Sequence, residues 1–342
     1  MDFFNQLLNG SSLTTAVDRL PNMYSRVGEL DIFDRRPQAT TNVILGYRNN
    51  EVVLLDPQSR SAPRQEANRE TAKTVSFEVP SYKFGDVITP EDLQNIAAFA
   101  PGERRLELAS EALNRRLLKV RKPHDISFEF IRMQALKGII QDPTGDVLYN
   151  LFNEFGVSQT TIDFELDDVN TDVVGKAEDL FDAIAEDLRG DSMTHVHVLV
   201  DKLFSRQLRS HPSYEKYLTG HSAALQQIAA SRQNGSDPNA MRSVMIGNVT
   251  FESYSGKAQN SSGNSVKFIA DNTGHAFPMG TMDTFVEVDV PSNRLGQVNV
   301  APSQEIFISE EPLKHDKGID IDTESNKMCF CSRPEVLVKV VA

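Results

Sequence analysis

Between residues 103 and 121 apolar side chains return at spacings of three and four, as Leu106, Ala109, Leu113, Leu117 and Val120, with arginines on the opposite side. That period belongs to an α-helix burying one stripe. Pro123 follows, and because proline is tolerated in a first turn but not mid-helix, a kink or a restart is expected there. A second helical pattern runs from Asp125 to Lys137 and stops at Gly138, a glycine placed to cap it. Together the two cover roughly 34 residues, on the order of 50 Å at the α-helical rise. A rod of that length is unusual inside a compact domain.

The segments around it are mostly β. Val43-Ile44-Leu45 and Val52-Val53-Leu54-Leu55 are β-branched runs separated by Arg48-Asn49-Asn50. Thr74 to Val79 alternates polar and apolar strictly, so Val75, Phe77 and Val79 share one face. The polar stretch from Asp56 to Lys73 makes this a long hairpin with a mobile tip. A two-stranded ribbon is marginal alone in water, so the Val75–Phe77–Val79 face is expected to lie on a neighbouring subunit. After the helix, Asp142-Pro143-Thr144-Gly145 is turn chemistry between Ile139-Ile140-Gln141 and a strand continuing to about Phe155. Residues 172–188 form an amphipathic helix closed by Gly190, His195 to Val200 a buried strand, and short helices continue to about Ala230. From Ser243 the chain is strand and loop. The class is α+β, without the rhythm of βαβ units.

A chain of 342 residues supports two or three compact regions. No run approaches the ~18 apolar residues of a membrane span. Asp2, and a first basic residue only at Arg19, argue against a secretory leader. The net charge of −13 excludes a nucleic-acid grip spread over the whole surface. Charge is also segregated: seven Arg or Lys against three Glu between Glu103 and Pro123, and fourteen Asp or Glu against two basic residues between Asp142 and Asp191. Faces with different neighbours are implied, although a solvated helix face accounts for much of the acidic block. The only cysteines, Cys329 and Cys331, are read as two small buried groups on one strand face rather than as metal ligands.

Catalytic motifs are missing. The sequence holds no G-x-S-x-G, H-E-x-x-H, Walker A or G-x-G-x-x-G pattern, and Gly256-Lys257 lacks the rest of a phosphate loop. The best candidate for chemistry is His195 with His197, which share a strand face as a metal pair requires, with Asp201 nearby. No third ligand is identifiable, and ordinary strand histidines are the favoured reading. Asp316, Asp320, Asp322 and Glu324 lack the glycine turn and ligand order of an EF-hand and read as a solvated turn. Arg104-Arg105 and Arg115-Arg116 read as the wet face of the helix. No catalytic, cofactor-binding or metal residue is assigned, and the chain is read as a non-enzyme.

The order of parts (arm, long hairpin, long helix, hairpin, acidic α+β region) resembles the Hong Kong 97-type capsid fold of tailed phages. Within it the chain is similar to the lambda major head protein family. The similarity rests on Met133-Gln134-Ala135-Leu136-Lys137-Gly138, on Asp271-Asn272-Thr273 followed by Gly280, on Val198-Leu199-Val200-Asp201 with Phe204, and on Ser332-Arg333-Pro334-Glu335 before an apolar strand. It implies an N-terminal arm at 1–35, an extended β-hairpin loop at 36–99, and a peripheral domain with a spine helix at 100–165. An axial domain at 166–330 and a C-terminal strand at 331–342, returning to the peripheral region, complete it. Lys73 and Lys83 lie in the loop where some relatives crosslink, but the lambda-like branch does without this and no crosslink is expected.

The function implied is that of a major capsid protein, self-assembling through hexamers and pentamers into an icosahedral head that encloses DNA without sequence-specific binding. Scaffolding protein, portal and a decoration protein are the implied partners, with no membrane and no cofactor. The chain would be assembled in the host cytoplasm and end in the virion. An encapsulin-like compartment shell and a metal-dependent hydrolase built on His195 and His197 are the alternatives.

Overall fold

The structure is a computed structural model that describes residues 26–47, 73–91, 102–188, 191–220 and 243–342. The run Val52–Leu55, the loop residues 56–72, Gly190 and residues 221–230 lie outside the described residues. The chain divides into two compact units, the first from Met1–Val43, Ser76–Arg132 and Val286–Cys329, the second from Ile44–Val75, Met133–Phe285 and Phe330–Ala342. The long helix runs unbroken over Gly102–Lys137, 36 residues, with Pro123 inside it. The restart expected at Pro123 does not occur, because the helix carries on through the proline as one element. Ser127 Oγ donates to the Pro123 carbonyl at 2.7 Å.

In the first unit a sheet is built on one long strand, Ile319–Cys331, of 13 residues. Ser81–Ile88 lies antiparallel along one edge, from Ile319 opposite Ile88 to Asn326 opposite Ser81. Phe307–Pro312 lies antiparallel along the other. Farther on comes Phe285–Asp289, to which Asp34–Arg35 adds in parallel. Leu117 and Val120 of the apolar stripe read from the sequence are buried, as are Phe128 and Ile131, while the side chains of Leu106, Ala109 and Leu113 lie outside the described residues. The acidic cluster expected as a turn is instead strand: Asp320 and Asp322 are exposed at alternate positions, whereas Glu324 is buried. Glu324 is satisfied by the Asn293 backbone N–H at 3.0 Å and by Asn326 Nδ2 at 2.8 Å, so the polar sequence there closes on its own chain.

The second unit carries a six-stranded sheet in the order Thr161–Asp163, Val338–Val341, Thr273–Met279, His195–Val200, Val249–Ser253, Ser243–Ile246. The terminal strand runs parallel to Thr161–Asp163 and antiparallel to Thr273–Met279. One face of the sheet presents Val196, Val198, Val249, Phe251, Ala276, Val338 and Val340, all buried. Phe251 meets Phe164 edge-on at 5.6 Å between ring centroids, and Phe164 meets Phe204 at 5.7 Å. The helix Val173–Asp187 turns Val173, Ala177, Leu180 and Ile184 inward, as the sequence period requires.

After the long helix, Gly138 takes φ +71 where a Cβ would meet the Phe152 ring at 2.5 Å. Asp142 Oδ1 then accepts from the N–H groups of Thr144, Gly145 and Asp146 at 2.8, 2.9 and 3.0 Å, closing the predicted turn. The second strand of that hairpin ends at Asn150 rather than near Phe155. The reason is local: Asn150 caps a short helix, Leu151–Phe155, and Gly156 at φ 75 ends it.

Two boundaries differ from expectation. Residues 286–329, expected to continue the 166–330 region, pack in the first unit. The long helix likewise contributes to both units, changing over after Arg132.

Candidate functional site

The second face of the six-stranded sheet carries the polar groups. Register places His197, Leu199, Glu252, His275 and Phe277 on it, with Lys339 opposite His275. His197 Nε2 lies 3.1 Å from Glu252 Oε2, and both residues are buried, so the carboxylate already occupies this imidazole. His195 shares the face, its ring centroid 6.3 Å from that of His197, and its own partner is Thr194 Oγ1 at 3.1 Å. Burial, and then the neighbouring His197, lower the pKa of His195. Asp201 does not join the histidines. Its Oδ2 accepts from the Leu203 N–H at 3.0 Å and caps the following helix. Among the described residues no three His, Cys, Asp or Glu side chains come together as a metal site would require.

Glu252 and His275 were not singled out in the sequence. No local pattern could have found them, because their neighbours on this face come from strands far away in the chain.

The first unit holds the densest charge. Lys327 has no exposed surface, and its Nζ donates to Glu287 and, at 2.9 Å, to Glu305 Oε1, with Asp289 Oδ1 at 3.7 Å. Arg132 Nε donates to Glu287 Oε2 at 2.8 Å, and Arg35 pairs with Asp289. Three cations therefore face three carboxylates. Burial alone would raise the Glu287 pKa, but Lys327 and Arg132 outweigh it and bring it down to about 2. The Lys327 ammonium also sits 4.4 Å from the centre of the Phe128 ring. Lys327 is shared by all three carboxylates, which makes this cluster cohesive.

Cys329 and Cys331 are buried and unbonded to one another. Burial raises both thiols, Cys331 to about 12 and Cys329 well above its ordinary value, which leaves them unreactive at neutral pH.

Val75, Phe77 and Val79, expected to meet a neighbouring subunit, differ in how far the single chain buries them. Phe77 is 0% exposed and Val79 8% exposed in the single chain, and Val75 is half-buried. The alternation was read correctly, but the chain itself covers Phe77 and Val79, leaving a neighbour little of either to bury. Among the described residues of the first unit, Leu295 is 98% exposed and Val298 60%.

The comparisons agree with this geometry. The chain matches the family described as phage major capsid protein E over residues 10–342. It is 31% identical over 355 residues to the major capsid protein of Salmonella phage Felix O1, with 97% of this chain and 95% of the relative covered. It is 26% identical to the major capsid protein of Pseudomonas phage KPP10, covering 96% and 95%. Among solved structures it is similar to one described as a capsid protein of a prophage in E. coli CFT073, with TM-score 0.61 at 13% identity over 98% of this chain and 99% of the other. That likeness is one of fold, and it agrees with the Hong Kong 97-type architecture expected from the order of parts. A chain matched from residue 10 to its last residue belongs to the phage major capsid protein E family.

Proposed function

We propose that this chain is the shell-forming subunit of a phage head, and that its work is structural rather than catalytic. Copies associate as hexamers and pentamers, and these close into an icosahedral shell around the genome. The observation that carries the reading is family membership over nearly the whole chain. Two physical features support it. Leu295 and Val298 leave apolar surface that a free monomer has no use for. The net charge of −13 keeps the lining of a DNA-filled container from adhering to its contents.

In this reading the first unit is the peripheral domain and the second the axial domain, with Asn42–Tyr47 and Lys73–Glu78 as the base of the extended loop. Val75, with the exposed Ser76 and Glu78, remains the part of that ribbon available to a neighbour. Scaffolding, portal and decoration proteins are the partners that a head of this type takes. The curated relatives are phage capsid proteins, which favours a head over a cellular compartment. Electron microscopy of the chain expressed with the other head proteins of its phage tests this. Closed shells are expected, and lone subunits under those conditions contradict it.

A further inference from the structure

Three basic side chains meet at one corner of the second unit. Lys137 is the last residue of the long helix, and Gln159 Nε2 donates to its carbonyl at 3.3 Å. The next residue, Gly138, is packed so that a Cβ there would lie 3.3 Å from Leu337 Cδ1. Two residues beyond Leu337, the Lys339 N–H donates to the Thr160 carbonyl at 2.9 Å, and Lys339 stands opposite His275 across the strand pair. Helix end, Gln159–Thr160 and terminal strand thus bring Lys137, Lys339 and His275 together.

None of the three is matched by an anion among the described residues. Neither lysine forms an ion pair with a described residue, although Lys137 is half-buried. His275 is 7% exposed, and its Nδ1 has no hydrogen-bond partner among the described residues. Burial lowers Lys137 to about 8; burial and the two lysines lower His275 to about 3. The buried Lys327, by contrast, has three carboxylates around it, so this corner lacks the complement that Lys327 has.

The complement is present on the same unit. The helix Val173–Asp187 exposes Glu178, Asp179, Asp182 and Glu186 along one side, and none of them forms an ion pair with a described residue. Resting on the shell reading, we propose that Lys137, Lys339 and His275 receive a carboxylate from this helix of a second copy of the chain. A contact between two different patches of identical subunits is heterologous, the kind that closes rings. Packaged DNA is the less suitable anion, because a subunit with net charge −13 repels it overall.

Competitive amine labelling of Lys137 across pH tests this in free subunits, empty shells and DNA-filled heads, with the exposed Lys314 as internal standard. A carboxylate moving in raises the Lys137 pKa, whereas burial by any uncharged contact lowers it further. Labelling at pH 8 should therefore fall more than ~tenfold in empty shells, with the apparent pKa rising toward that of an ordinary lysine. The variant Glu178→Gln, Asp179→Asn, Asp182→Asn, Glu186→Gln changes exposed positions only and keeps the subunit folded. In its shells the rise should disappear. An unchanged or lowered pKa in wild-type empty shells overturns the proposal, as does a rise confined to DNA-filled heads, which makes phosphate the occupant. A full rise in the variant without the four carboxylates overturns it too. Failure to form particles of any kind overturns the shell reading itself and this inference with it.

Discussion

His124 donates its Nε2 proton to Thr323 Oγ1 across 2.9 Å, within the first unit. The tautomer follows from the next link, because Thr323 Oγ1 gives its own proton to the Phe84 carbonyl and can only accept from the ring. Nδ1 is then left to accept from Ser325 Oγ at 2.8 Å. A neutral imidazole fills this place completely. Burial, with Arg121 adding to it, holds the pKa at about 4 against an ordinary 6.5.

That shift has a sign. Between pH 6.5 and about 4 the unfolded chain binds a proton that the folded chain refuses. Stability from His124 is complete above pH 6.5 and lost as the pH falls toward 4, by about 1.4 kcal/mol per unit. His275, held at about 3, acts in the same direction over a window reaching lower. Glu287 enters only below 4.5. Urea unfolding at pH 7.0 and 5.5 should show His124→Gln with a smaller loss between the two than wild type. An equal loss would remove His124 from the account.

The ionic cluster should respond strongly to a single break. Lys327→Met leaves Glu287, Asp289 and Glu305 without their shared cation in a buried setting. A cost of about 3–5 kcal/mol in urea unfolding at pH 7 is expected. A change below about 1 kcal/mol, the range of exposed pairs, would show that water reaches the cluster.

Gly138→Ala combines a left-handed backbone with a Cβ 2.5 Å from the Phe152 ring. It should destabilise by about 1–3 kcal/mol, where an exposed helix-end glycine would lose less. Thermal unfolding measures this, and an unchanged midpoint would mean that the hairpin moves aside without resistance.

Phe77→Asp is expected to damage the subunit itself. With no exposed surface in the single chain, the side chain cannot be replaced by a carboxylate without burying an unpaired charge. Circular dichroism of the unassembled variant should show an unfolded or strongly destabilised subunit. A folded variant that fails only to assemble would restore the contact with a neighbour.

What was legible in the sequence was whatever chain-local chemistry decides. The long helix with its closing glycine, the Asp142-Pro143-Thr144-Gly145 turn, the amphipathic helix and the His195–Val200 strand all follow from period or turn residues over a short window. The strand Ile319–Cys331 was hidden for the opposite reason. Glu324 was read with Asp316, Asp320 and Asp322 as a solvated turn, yet it is buried together with Thr323, Ser325, Asn326 and Lys327. Their partners, among them His124, Glu287 and Phe84, lie far off in the chain, so nothing nearby announces that these groups are satisfied. Phe77 failed in the same way: alternation reveals an apolar face but not which surface covers it.

Sedimentation velocity on the chain produced with its natural assembly partners tests the central claim most directly. The account predicts that most of the protein moves as closed particles of very many copies, far heavier than a dimer. Material that stays a monodisperse monomer or dimer under those conditions would contradict it.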